Sequence, residues 1–245
     1  MSAESLGSVG SARTAVVWSV LGAELARRGA GQLDIVDVGG GTGGFAVPLA
    51  ERGHTVTVVD PSPDALATLG RRALAAGVAA RIRAVQGDSD TLLDVVGAAS
   101  ADLVLGHSVL EVVEDPARTL TGLAAVLRPT GALSLLVANR AAAVLARALG
   151  GHLADAQRAL HDPDGRWGDA DGAARRFDAD RLLDLVTAVG LRVEGLHGVR
   201  VVGDLVPGSV ADSSGDALRT LELALSAMPP YRDIASQLHV LARRM

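Results

Sequence analysis

The 245-residue chain contains no cysteine and no lysine. Without thiols it has no disulfide, no thiolate metal site and no cysteine nucleophile. Without lysine it has no Walker A loop, which needs that ammonium on the phosphates. All 23 basic residues are therefore arginine. Aromatic residues make up only 2% of the chain, so the core must be built from Ala, Val and Leu. The net charge is −5, which excludes the strongly basic surface of a duplex-DNA binder. No apolar run approaches the roughly 18 residues that a membrane span needs. The opening MSAESLGSVGSART lacks a basic stretch followed by an apolar one. A cytoplasmic protein with neither membrane nor DNA as partner is expected. The six histidines are scattered, and His152 and His161 are polar-flanked and too far apart for a metal site. No metal is expected, and no G-x-S-x-G elbow occurs.

What is present is 49% hydrophobic residues, enough for one α/β domain with some elaboration. The pattern organises around LDIVDVGGGTGGFAVP, Leu33 to Pro48. An apolar run climbs to Asp37, breaks into glycines and re-enters an apolar period, which reads as strand, tight turn and helix start. Before it, residues 1–11 read as a frayed tail and Ala12–Arg28 as a helix. After it, apolar strands at Thr55–Val59, Arg81–Val85, Asp102–Leu105 and Ala132–Ala138 alternate with helices. Gly106-His107-Ser108 reads as a loop, and Arg128-Pro129-Thr130-Gly131 as a turn. Nearly continuous apolar strands alternating with helices mean a parallel sheet covered on both faces. Residues 150–176 are polar, short of large apolar residues, and read as an inserted lid or mobile segment. Asp178 caps a further helix, and Leu191–Val202 and Gln237–Ala242 are the last strands, with a helix over Leu218–Met228 between them. The expected architecture is α/β and Rossmann-like: a seven-stranded, mostly parallel sheet with helices on both faces, an N-terminal helix and a helical or loop lid. The divisions are 1–32 for tail and helix, 33–140 for the core, 141–177 for the lid and 178–245 for the elements that complete the sheet.

Active groups in such a sheet belong at the carboxyl ends of strands, where Asp37, Asp60, Asp88 and His107 fall. Gly39, Gly41 and Gly44 carry the spacing G-x-G-x-x-G, which lets a backbone turn sharply under a ligand. Asp60, followed by Pro61, is the acidic residue about 20 positions on that suits a ribose diol. These features alone are shared with NAD-binding proteins. Asp37 beside the loop would repel a pyrophosphate and attract an ammonium or sulfonium. Gly87-Asp88-Ser89 adds a polar clamp after the third strand. Both details favour S-adenosylmethionine over a dinucleotide.

The segments VDVGGGTGG, VTVVDPSPDAL, VQGDSDTL, ADLVLGHSVLEVVEDP and VLRPTGALSLLV resemble the successive motifs of class I S-adenosylmethionine-dependent methyltransferases. Thr130 stands where that family usually has glycine. Outside the core, HSVLEVVEDP, GVRV at Gly198–Val201 followed by Asp204, Pro230-Tyr231, His239-Val240, Ala242-Arg243 and Arg13 ahead of VVW resemble the tRNA 5-carboxymethoxyuridine methyltransferases. That resemblance implies that Arg13, Gly39, Gly40, Asp60, Ser89, Asp90 and His107 touch the cofactor, with Asp88 bordering the pocket. Asp37, Gly41 and Pro61 complete the expected cofactor set. It further implies a methyl ester formed on the carboxylate of a modified wobble uridine.

His107 is either a base or a cofactor contact, and Glu111 could orient it. A carboxylate acceptor needs no base, whereas a hydroxyl or amine does. The lid carries Asp162, Asp164, Asp169 and Asp171 where the tRNA enzymes have a lysine-rich run, so a small-molecule O- or N-methyltransferase remains an alternative. Less favoured are a NAD(P)-binding protein and a non-catalytic cofactor-binding regulator. If RNA binds, Arg140, Arg147, Arg158, Arg166, Arg175, Arg176 and Arg200 could clamp a backbone, with Trp167, Phe177 and Tyr231 stacking a base. Trp167, Arg200 and Tyr231 are the candidate acceptor contacts.

Overall fold

The computed structural model describes residues 13–173, 175–207, 209 and 214–245. The expected tail over 1–11 and the expected helix start at Ala12 lie outside them. Seven strands form one sheet in the order β3-β2-β1-β4-β5-β7-β6. They are β1 (Asp34–Val38), β2 (Thr55–Asp60), β3 (Ile82–Gln86), β4 (Ala101–His107), β5 (Leu127–Ala138), β6 (Leu191–Val199) and β7 (Gln237–Arg244). β1 pairs in parallel with β2 and β4, and β2 with β3. The chain order reverses between β1 and β4, the switch point at which open α/β sheets leave a crevice at their carboxyl ends. Asn139 N donates to Ser236 O (3.1 Å) and Ser236 N to Arg200 O (3.2 Å). β7 therefore starts where β5 and β6 end and runs against both.

The chain divides into two compact units. One comprises Ala30–Leu135, Asp184–Glu194 and Leu241–Met245. In it β1 and β4 are apolar runs, with Ile35, Val36 and Val38 on β1 and Leu103, Val104 and Leu105 on β4 all buried. Helices α2 (Ala46–Glu51), α3 (Pro63–Ala75), α4 (Leu92–Val96) and α5 (Pro116–Val126) connect the strands. Two of them start as their sequences dictate. Ser62 accepts from Ala65 N before Pro63, and Asp115 accepts from Ala117 N and Arg118 N before Pro116. At the other end of the sheet, Arg128 donates to Asp34 and Asp102 at 2.8 Å each. Arg243 donates to Glu194 Oε1 (2.7 Å) and to Thr130 O (3.0 Å), so the end of β7 is fastened to the start of β5.

Two expectations in this unit change. Gly106 and His107 continue β4 rather than forming a loop. A Cβ at Gly106 would stand 3.1 Å from Leu123 and 3.3 Å from Leu135, so this glycine is a packing residue and not a breaker. The turn at 128–131 is contained in β5, and Thr130 carries its bend at φ +65°. A β-branched residue is costly there. Thr130→Gly is expected to stabilise the protein by about 1 kcal/mol after the entropic cost of glycine, seen as a Tm about 2–4 °C higher. An unchanged or lower Tm would show that the threonine side chain compensates the strain.

The other unit comprises Met1–Gly29, Leu136–Leu183 and Gly195–Val240. It contains α1 (Ala15–Arg28), α6 (Arg140–Leu149), α7 (Leu153–His161), the first half of α8 (Ala179–Ala188) and α9 (Gly215–Leu225). Helix α7 lies within the polar segment 150–176, where the sequence reading assigns no helix. Its apolar positions are mostly alanine, so the periodicity is faint in sequence. Asn139 joins the start of α6 to the turn before β7. Its Oδ1 accepts from Ala141 N, while its Nδ2 donates to Asp233 O (2.9 Å) and Ala235 O (2.7 Å).

Candidate functional site

At the carboxyl ends of β1 to β4 a cavity of about 660 Å³ opens, all of its lining drawn from the first unit described. The volume lies within the range of small-molecule sites. Of the expected residues, Gly39, Asp60, Pro61, Asp88, Ser89 and Asp90 line it. The rest of the lining includes Ser108, Val109, Val112, Val113, Glu114, Asp115, Arg118 and Thr119; none of these is a site residue expected from sequence, although the first six fall in the HSVLEVVEDP motif. The signal for them was Asp115-Pro116, a cap and first-turn pair that announces a helix starting at the catalytic edge.

The glycine loop is held by close contacts. Gly39 has φ +68°, and a Cβ on it would lie 2.9 Å from Val109. A Cβ on Gly40 would lie 2.5 Å from Asp37 Oδ2. Asp60 organises the two neighbouring turns, accepting from Gly41 N at 2.8 Å through Oδ2 and from Ser62 N at 2.9 Å through Oδ1. Each oxygen keeps acceptor capacity for a ligand. Asp88 Oδ1 accepts from Asp90 N, Thr91 N and Thr91 Oγ1, each at 3.0 Å. Those bonds from Thr91 are the main reason its carboxyl is held below the usual range. Thr119 Oγ1 donates to Ser89 Oγ at 3.3 Å across the cavity.

Asp37 and His107 are not among the lining residues. Asp37 is 2% exposed, and its Oδ2 has no hydrogen-bond partner among the described residues. Burial, and then repulsion from Asp60, push its pKa up to about 7. The Nε2 atom of His107 lies 2.9 Å from Ser134 Oγ, and its ring meets Phe45 edge-on at 4.6 Å. Burial pushes its pKa down to about 3. Glu111 is buried.

Arg13, Trp167, Arg200 and Tyr231 belong to the other compact unit. Arg13 is exposed just before α1. The lid residues do not form the expected clamp. Phe177 is 0% exposed and is a core residue. Trp167 has the guanidinium of Arg147 over its ring at 3.9 Å and that of Arg176 at 4.0 Å. Two guanidiniums this close to the ring compete with a base for stacking on it. Arg158 donates to Trp167 O, Arg175 to Asp164 and Arg140 to Pro163 O. Asp171 takes a two-pronged bond from Arg176 at 2.7 and 2.9 Å. Burial alone would raise the Asp171 carboxyl, but bonds from Arg176, Ala173 and Trp167 outweigh it and hold the carboxyl low. Tyr231 is 45% exposed.

A family model described as Methyltransferase domain matches residues 36–135. The tRNA 5-carboxymethoxyuridine methyltransferase of Escherichia coli (strain K12) is 31% identical over 236 residues, which is 96% of this chain and 89% of that protein. A ubiquinone biosynthesis O-methyltransferase of Rhizobium leguminosarum bv. trifolii (strain WSM2304) is 34% identical over 108 residues, 44% of this chain and 41% of its own length. Among solved structures, an S-adenosylmethionine-dependent methyltransferase from Mesorhizobium loti has the same fold. It superposes with a TM-score of 0.63 at 23% identity, covering 94% of this chain and 98% of that one. The dinucleotide and non-catalytic alternatives give way to these matches. With a relative 31% identical along nearly its whole length and a methyltransferase model over the strand ends that build the cavity, the chain belongs to the S-adenosylmethionine-dependent methyltransferases, enzymes that take their methyl group from S-adenosylmethionine.

Proposed function

We propose that this enzyme methylates the carboxylate of a modified wobble uridine in tRNA, in the cytoplasm, and so forms a methyl ester. The observation that carries the reading is the placement of His107: it does not line the cavity, and its Nε2 is engaged with Ser134 Oγ at 2.9 Å, so the ring is not offered to an acceptor as a base. Desolvation, which pushes its pKa down to about 3, weakens it further in that role. A hydroxyl or amine acceptor must lose a proton, whereas a carboxylate is already ionised. The relative that matches 96% of the chain acts, by its name, on tRNA 5-carboxymethoxyuridine. The ubiquinone-type relative matches under half of it, which supports a shared donor more than a shared acceptor. Two of the four lid aspartates, Asp164 and Asp171, have their charge met by arginines, which lessens the weight of the acidic segment against RNA. Asp162 accepts from the backbone of Asp164 and Arg166, and Asp169 is exposed. We place residues 141–177 as the lid over the acceptor, with Tyr231 and Arg200 as contacts.

The bound donor supplies a methyl group on a positively charged sulfur with a neutral leaving group. The cavity suits that charge: its lining carries Asp60, Asp88, Asp90, Glu114 and Asp115 against one arginine, Arg118. Asp60, with an acceptor site left on each oxygen, supports the ribose. Ser89, Asp90 and Asp88 support the adenine side, and Gly39, Gly40, Gly41 and Pro61 shape the approach. Asp37, with its unpartnered buried oxygen, supports the cationic end, and Arg13 the carboxylate of the donor. His107 acts through position, as a neutral ring held by Ser134. Rate comes mainly from alignment of acceptor, methyl and sulfur.

Mass spectrometry of nucleosides after incubating the enzyme with tRNA bearing 5-carboxymethoxyuridine should reveal the methyl ester. No ester, with turnover of a small phenol or amine instead, would move the acceptor to small-molecule chemistry. Asp60→Ala should weaken S-adenosylhomocysteine binding about 10- to 100-fold by calorimetry. An unchanged affinity would remove Asp60 from the ribose.

A further inference from the structure

The loop after β6 contains strain that the packing of a turn does not call for. Arg200 takes φ +59° at the carboxyl end of β6, a conformation costly for any residue with a Cβ. Gly198 and Gly203 flank it, yet the strained position carries a long cation. Three successive backbone N–H groups, of Val201, Val202 and Gly203, converge on the Glu222 carboxylate at 2.8, 2.9 and 2.7 Å. Glu222 projects from α9 and is 1% exposed. A buried carboxylate is compensated here by backbone donors instead of a cation. On the other side, Ser236 N holds Arg200 O at 3.2 Å. Before Arg200, Gly198 N donates to Ser226 O at 2.7 Å, so the loop is fixed on both sides of the Arg200 side chain.

That side chain is only lightly engaged. Its Nη1 stands 3.3 Å from Asp204 Oδ2, and the same oxygen accepts from Ser236 Oγ at 2.7 Å. Its Nε is buried and has no acceptor among the described residues. A guanidinium with an idle buried donor and one long ion pair is suited to a planar oxyanion, which it can meet with two parallel bonds.

We propose that Glu222 is a positioning residue that pins this loop so that Arg200 presents its guanidinium to the carboxylate of the methyl acceptor, with Asp204 as the resident counter-ion. The proposal rests on the carboxylate reading of the acceptor. Acetate serves as the bare probe, titrated into the full-length protein while the Arg200 Nε–H resonance is followed by NMR. Wild type should show a saturable shift, and Glu222→Gln a markedly weaker one. In kinetics with tRNA bearing 5-carboxymethoxyuridine, Arg200→Gly should raise KM about 10- to 100-fold. Its Tm should be unchanged or higher, because the strain is relieved. Glu222→Gln should raise the same KM, and both variants should bind S-adenosylhomocysteine as wild type does. A purely structural loop would behave otherwise: Glu222→Gln would lower Tm with KM unchanged, and Arg200→Gly would leave KM unchanged. Either result, or an Arg200 resonance that acetate does not move, overturns the proposal. A saturable acetate shift without methylation of the tRNA would instead overturn the tRNA reading and leave the anion site standing.

Discussion

Titrated with S-adenosylhomocysteine at pH 7, the wild-type protein is expected to release about half a proton from Asp37, and the Asp37→Asn variant none from that position. Asp37 lies in β1 between Val58 of β2 and Leu105 of β4 in the strand register. Desolvation is the main reason that it holds its proton, and the Asp60 carboxylate adds to it. With the ligand's α-ammonium set against this carboxyl, as proposed, both effects are offset locally and the acid ionises on binding. Calorimetry in two buffers of different ionisation enthalpy counts the proton. An equal count in wild type and variant would remove Asp37 from the linkage.

The same residue makes the free protein sensitive to pH. Its folded pKa is raised above the unfolded value, so between about pH 4 and pH 7 the folded state binds more protons. Stability is then lost as pH rises through that window, the reverse of a salt-bridged aspartate. From 3.8 to about 7 the shift corresponds to an upper bound on the order of 4 kcal/mol. Asp37→Asn should flatten this component, and the difference between the Tm–pH curves of wild type and variant isolates it from Asp88, Asp164 and Asp171, whose lowered values act in the opposite direction. Parallel curves would contradict the assignment.

The largest loss of stability is expected in the segment 162–177. Asp171→Ala leaves the guanidinium of Arg176, 7% exposed, buried without its carboxylate. Removing one partner of such a pair costs about 3–5 kcal/mol. The substitution also frees Trp167 N and Ala173 N, which the carboxylate accepts. It loosens the arginine that covers one face of Trp167 as well. Hydrogen exchange should rise over residues 162–177, as expected for local opening. S-adenosylhomocysteine affinity should hold, because the cavity is built from residues 38–119. Protection unchanged across 162–177 would mean that the pair is dispensable, and lost cofactor binding would mean that the lid supports the cavity.

The residues of the cavity's first wall were legible because each is a local event. Glycines between a strand and a helix, and a carboxylate at a strand end, are specified by neighbours in sequence. What could not be read depends on partners far along the chain. Gly106 reads as a breaker until Leu123 and Leu135 are packed over it. The lid aspartates read as an acidic surface until Arg175 and Arg176 fold onto them. Trp167 reads as an open ring until two arginines close on it. In a chain whose only cation is arginine, the sequence does not say which guanidiniums are spent inside. The grip of Glu222 on the loop after β6 spans about twenty residues and has no periodic signature.

The unit that holds the cavity is discontinuous: residues 30–135 are joined by 184–194 and 241–245. Arg243 fastens to Glu194 and to the carbonyl of Thr130, and Arg244 to the carbonyls of Ala124 and Leu127. Contacts so remote in sequence close long loops and raise the contact order of this unit. The methyltransferase stretch over 36–135 is therefore not an exchangeable cassette. A chimera that grafts it onto another acceptor module would inherit the glycine loop but leave one edge of its sheet without the strand that seals it. A cut made outside residues 36–135, in a segment such as 150–176, would leave the lining of the cavity intact.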